Sequence, residues 1–71
     1  MQFRRLKELR EDHDLSQEKV AKILQITRPQ YSLYETGKRT IPIDLLRILA
    51  IYYNTSIDYI VGDTDKPRRI R

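Results

Sequence analysis

The stretch LSQEKVAKILQITRPQYSLYETGKR, residues 15–39, decides the fold. It holds two helix-start signals with a short reversal between them. Ser16 can accept a hydrogen bond from a backbone N–H that a new helix leaves unpaired. Leu15 stands just before this cap and Val20 falls at the fourth helical position, so the two can form a hydrophobic staple. Val20, Ala21 and Leu24 then share one apolar face, which predicts a helix through about Leu24. The second signal is stronger. Thr27-Arg28-Pro29-Gln30 has the pattern of a capping box, and Ile26 with Tyr31 makes a second staple. Pro29 lies in the first turn, where its missing N–H costs nothing. Gly37 supplies the left-handed residue that ends a helix. The spacing predicts a helix from Arg28 to Thr36.

On the N-terminal side, Phe3, Leu6 and Leu9 recur at three-residue spacing, which predicts an amphipathic helix from about Gln2 to His13. On the C-terminal side, Pro42 marks another first turn. Ile43, Leu46, Leu49, Ala50 and Tyr53 describe a stripe that Asn54 stops. Thr55 or Ser56 caps a last short helix through Val61, and Gly62 ends it. No segment alternates at period two for long enough to suggest a strand. The expected fold is all-α, with five short helices over residues 1–62. The remainder, DTDKPRRIR (63–71), has no periodicity and is expected to form a basic flexible tail.

The 71 residues suit one domain. Cysteine is absent, which excludes disulfides and thiolate metal sites. The start, MQFRRLKELRED, lacks the apolar run of a signal peptide, and no stretch approaches the roughly 20 apolar residues that span a bilayer. A soluble, cytoplasmic protein is expected. The net charge is +4 and the pI about 9.6, the right sign for a polyanionic partner. The basic residues concentrate in Arg4-Arg5-Lys7, Lys38-Arg39 and residues 66–71. His13 is the only histidine. With no second histidine, glycine-rich phosphate loop or nucleophile motif, neither a metal site, a cofactor nor an enzyme is expected.

These residues together resemble the phage repressor and Cro-like helix-turn-helix domains, a group of prokaryotic DNA-binding proteins. The resemblance rests on Leu9-Arg10, Leu15-Ser16-Gln17, Val20-Ala21, Ile26-Thr27, Ser32, Glu35-x-Gly37-Lys38-Arg39, Pro42, Leu46, Leu49-Ala50 and Ser56-x-Asp58-Tyr59, and covers residues 3–62. It implies a lambda-repressor-like fold with the helix-turn-helix at helices two and three. One position departs from the pattern. The turn between these helices usually opens with glycine, and here it is Gln25. Glutamine takes a positive φ only at a cost of roughly 1 kcal/mol. Either the torsions differ or the domain absorbs the strain, and the angle of the third helix depends on which.

The family's base-reading positions correspond to Thr27, Arg28, Pro29 and Leu33, with Gln30 and Ser32 beside them. An arginine at 28 can grip guanine O6 and N7 as a bidentate pair, and Leu33 can pack on a thymine methyl. The plainer alternatives are a solvated cation and an exposed leucine without a role. A lone cation at a helix start opposes the helix dipole, which weakens the first alternative. Ser16 and Gln17 open a helix whose N–H groups attract phosphate, and the family uses the glutamine position for such a contact. For Ser16 capping alone is the plainer role. Lys38 and Arg39 are expected to hold flanking phosphates, contacts that set register without reading sequence. Arg10 and Glu35 occupy positions that the family joins as a structural salt bridge. Four tyrosines, at 31, 34, 53 and 59, fall on apolar helix faces, where packing is expected rather than base stacking.

The resemblance implies a sequence-specific regulator of transcription, foremost a repressor that binds a pseudo-palindromic operator as a homodimer. Double-stranded DNA would be its partner and the nucleoid its place when bound. Tyr52, Tyr59 and Ile60 are candidate dimer contacts. The alternatives are an antitoxin-type regulator that also binds a protein, such as a toxin or antirepressor, and an interaction module that has lost DNA binding.

Overall fold

Four helix ends in this chain are closed by the same device. A residue in the left-handed region reverses the backbone, and the next N–H reaches back five residues to a carbonyl. Asp14 (φ 55°), Gln25 (φ 59°), Asn54 (φ 54°) and Gly62 (φ 90°) are the reversing residues. The bonds are Leu15 N–H to Arg10 O at 3.0 Å, Ile26 to Ala21 at 2.9 Å, Thr55 to Ala50 at 2.8 Å and Asp63 to Asp58 at 2.8 Å. Only one of these four positions is glycine.

The computed structural model describes residues 3–66. Five helices follow in order: α1 (Arg4–Asp12), α2 (Gln17–Leu24), α3 (Arg28–Glu35), α4 (Ile43–Tyr52) and α5 (Ile57–Val61). No strand occurs among the described residues. The all-α expectation and the helix count both hold. The expected start of the first helix at Gln2 lies outside the described residues. So do residues 67–71 of the expected tail.

The caps work as their chemistry predicts. Ser16 accepts from the Lys19 N–H at 3.0 Å. Thr27 accepts from the Gln30 N–H, and Gln30 Oε1 accepts in return from the Thr27 N–H at 3.0 Å, completing the capping box. Of the two cap candidates for the last helix it is Ser56 that serves, accepting from the Tyr59 N–H at 3.0 Å. Thr55 is buried.

The α2–α3 pair forms the centre, with α1 packed on α3 and α5, and α4 on α2 and α5. Leu6, Leu9, Val20, Ala21, Leu24, Tyr31, Leu46, Leu49, Ala50, Tyr53 and Ile60 make the core, joined by Ile41 from the loop before α4. Two expectations need correction. Ile43, counted in the buried stripe of the fourth helix, is 58% exposed. It stands at the edge of that stripe and at the first helical position. Ile60, a candidate dimer contact, is buried in the core and unavailable to another molecule.

Candidate nucleic-acid interface

The amphipathic split of α3 separates what holds the helix from what it offers. Tyr31 and Glu35, four residues apart, lie on the inner side and are buried. Thr27, Arg28, Pro29 and Gln30, which form the cap and first turn, are all exposed. Ser32 and Leu33 are half-buried at the margins. The sequence-predicted base-reading set therefore lies on one helix, with Thr27–Gln30 open at its N-terminal end and Ser32 and Leu33 in the turn that follows. Arg28 pairs with no carboxylate among the described residues.

The inner side is fixed by a buried ion pair. Arg10 of α1 grips Glu35 with two parallel bonds, Nε to Oε2 at 2.9 Å and Nη2 to Oε1 at 3.0 Å. Its remaining Nη1 donates to Leu15 O at 2.8 Å, so one guanidinium ties α1, the start of α2 and the end of α3. Gln17 Nε2 also donates to Glu35 Oε1, at 3.3 Å. Burial works against the Glu35 charge, but the hydrogen bonds from Arg10 and Gln17, with the Tyr31 hydroxyl alongside, outweigh it. The carboxyl is held below its ordinary value. Burial, reinforced by that carboxylate, pushes the Tyr31 phenol well above its usual range. Tyr53, also buried, is pushed up to about 12. Both rings are packing elements, as their positions on apolar faces predict.

The turn answers the question raised by Gln25. It takes the left-handed torsions φ 59°, ψ 40° that glycine usually supplies. The domain absorbs the strain, and the helix-turn-helix keeps its reversal. Past α3, Gly37 adopts φ 81°, and the Arg39 N–H donates to Leu33 O at 3.1 Å. That bond holds Lys38 and Arg39, both exposed, against the end of α3. Ser16 is exposed at the start of α2, while Gln17 is half-buried. With one N–H spent on Glu35, Gln17 has its second N–H and its backbone N–H to offer an anion. Its carbonyl oxygen, an acceptor, has none.

Two features were not visible in the sequence. Gln17 reaches Glu35 across a separation of 18 residues. Arg5, counted among the basic clusters, is spent inside the protein. Its guanidinium lies 4.0 Å from the Tyr59 ring centroid, donates to Tyr59 O and Thr64 O at 2.7 and 2.5 Å, and pairs with Asp65 at 2.9 Å. Such links between chain ends leave no local signature.

Among the described residues no helix is long and apolar enough to cross a membrane, and no group of acidic and histidine side chains could hold a metal ion. Comparison with known proteins agrees with this geometry. A family model described as helix-turn-helix matches residues 6–60. The chain is 42% identical over 67 residues to an uncharacterized HTH-type transcriptional regulator, YobD, of Bacillus subtilis, covering 94% of this chain and 60% of that protein. It is 38% identical over 58 residues to the antitoxin PezA of Streptococcus pneumoniae, covering 82% of this chain and 37% of that one. The chain thus spans less than two thirds of the length of either relative. No solved structure matches it significantly. With the motif assembled, the caps in place and the family model spanning α1 to α5, the chain belongs to the Cro/C1-type helix-turn-helix family of DNA-binding transcription regulators.

Proposed function

We propose that this protein represses transcription by occupying a pseudo-palindromic operator as a dimer, with two copies of α3 about one DNA turn, roughly 34 Å, apart. The observation that carries this reading is the exposed run Thr27–Gln30 at the tip of a helix whose opposite side is clamped by Arg10 and Glu35. A reading surface must be both open and rigid, and this one is both. Arg28 reads a guanine edge and Leu33 a thymine methyl, with Thr27, Pro29, Gln30 and Ser32 around them. The capping box occupies Gln30 Oε1, so Gln30 meets DNA through its N–H groups alone. The N-terminus of α2, with Ser16 and Gln17, and the loop cations Lys38 and Arg39 hold the backbone. The protein works in the cytoplasm, on the nucleoid.

A gel shift with DNA upstream of its own gene, against random competitor, tests the reading. Arg28→Ala relaxes preference at one or two base pairs. Lys38→Ala weakens binding to all sequences alike and lowers the salt slope by about one. Equal loss for both variants on specific and random DNA would refute this division of roles.

The likeness to a protein named as an antitoxin favours a second activity, binding of a protein partner such as a toxin or antirepressor. Co-expression and co-purification with the product of an adjacent gene tests it. An interaction module without DNA binding fits less well, since it has no use for exposed Arg28, Lys38 and Arg39 around one helix.

A further inference from the structure

Among the described residues, the exposed large hydrophobic side chains all lie on α4. Ile43, Ile48, Ile51 and Tyr52 are 58%, 40%, 61% and 45% exposed. Soluble chains usually bury such residues, and several on one element mark a contact surface. Asp44 and Arg47 lie among them. At 100° per residue, Ile43, Asp44, Arg47, Ile48 and Ile51 fall within one contiguous sector of the helix. Asp44, Arg47, Ile48 and Ile51 line a shallow groove there of about 310 Å³. Neither Asp44 nor Arg47 forms an ion pair with any described residue.

The order of these residues is self-complementary. Read forward, the face runs Ile43, Asp44, Arg47, Ile48. Laid antiparallel on a copy of itself about a two-fold between positions 45 and 46, it sets Ile43 against Ile48 and Asp44 against Arg47, twice. A two-fold interface requires this reciprocity, in which residue i meets j and j meets i. Two charges of the same sign at 44 and 47 would instead place like against like.

We infer that the outer face of α4 is a homodimer interface in which Asp44 of each copy pairs with Arg47 of the other across an antiparallel α4–α4 contact. The occupant is a second copy of this chain because the charge pattern matches itself. α4 packs on α2 and α5, whereas α3 packs on α2 and α1, so pairing through α4 leaves the tip of α3 open. Dimerisation in solution stands without DNA; its use on an operator rests on the function proposed above. Of the dimer contacts expected from sequence, Tyr52 is exposed on α4, whereas Ile60 is buried and Tyr59 lies beneath Arg5.

Sedimentation velocity on the full chain, without DNA and over a range of concentrations, tests the inference. The wild type forms dimers as concentration rises. Asp44→Arg leaves two cations on the face and Arg47→Asp two anions, and each weakens self-association by about tenfold or more through like-charge contact. Both positions are exposed, and circular dichroism checks that helix content is kept. An equal mixture of the two variants regains dimers, because each then meets its complement. A wild type that stays monomeric at every concentration overturns the inference. So do single variants that dimerise as well as wild type, or a mixture that does not recover. A wild type that binds its upstream DNA yet never dimerises in solution sinks the interface and spares the DNA reading. A chain that follows the charge-swap pattern yet shifts no DNA does the reverse.

Discussion

Arg5 and Arg10 sit on the same short helix and use the same chemistry, yet they hold different things. Arg10 faces a carboxylate whose side chain is 4% exposed, whereas the carboxylate of Arg5 is 98% exposed. Arg10 joins α1 to both helices of the helix-turn-helix. Arg5 fastens the end of α5 and the residues after it to α1, through a tyrosine ring, two carbonyls and a solvated aspartate. The difference shows how location sets the consequence of an ion pair. In water an exposed pair gains little. In the interior, the loss of one partner strands the other charge, even when the intact pair adds little net stability.

The comparison is broken most directly at Glu35. Glu35→Ala should cost about 3 kcal/mol in urea unfolding, a large share of the stability of a small domain, because it leaves the largely enclosed Arg10 guanidinium without its carboxylate. The double variant Arg10→Met with Glu35→Leu should cost less than Glu35→Ala, since no charge is left stranded. A double variant worse than the single would mean that the pair contributes by attraction, and not mainly by the penalty of stranding one charge.

Acid gives the same contrast a different handle. The folded chain holds Glu35 ionised below its ordinary value of 4.5, and the unfolded chain does not. Between these two values the unfolded state binds the proton and the folded state does not, so unfolding gains as pH falls. The contribution of Glu35 is complete above about 4.5 and disappears as pH drops through the depressed folded value. Thermal melts from pH 6 downward should show this slope, and Glu35→Gln should flatten it. An unchanged slope in the variant would assign the acid sensitivity to other carboxylates.

At the other arginine the effects shrink. Arg5→Leu removes the ring contact and the carbonyl bonds, for a loss of about 1–2 kcal/mol. The Gly62 and Asp63 amide hydrogens, bonded back to α5, should then exchange with deuterium faster than in wild type. Asp65→Asn should change neither the urea midpoint nor that exchange rate measurably, because its carboxylate is almost fully solvated. If Asp65→Asn matched Arg5→Leu, the carboxylate and not the ring and carbonyls would be the true anchor.

These features differ in how far the sequence announced them. Local chemistry was readable. The hydroxyls of Ser16 and Thr27, the reciprocal Gln30 and the apolar spacing placed the helices to within a few residues. Arg10 with Glu35 was legible only through resemblance, since nothing in either residue's neighbourhood names a partner 25 positions away. Arg5 was less legible still, and counting it only as part of a basic cluster missed its use between α1 and the end of α5. Ile43 and Ile60 failed in opposite senses for one reason. Periodicity gives the direction in which a side chain points along a helix, but what waits there depends on where the neighbouring helices stop. Gln25 left two torsions open because glutamine permits either, and only the packing of α2 against α3 chooses. The readable part of the interface was its chemistry at Thr27–Gln30. Its rigidity, supplied by Arg10, Gln17 and Glu35 together, is a tertiary property.

The five-residue reach at the helix ends has a use beyond closing helices. The amide hydrogens of Leu15, Ile26 and Thr55 each stay shielded only while a helix and the segment that leaves it are both in place. Their exchange with deuterium therefore clocks three joints separately. Ile26 times the opening of the motif itself, so its rate against those of Leu15 and Thr55 distinguishes a recognition unit that breathes alone from a domain that comes apart as one.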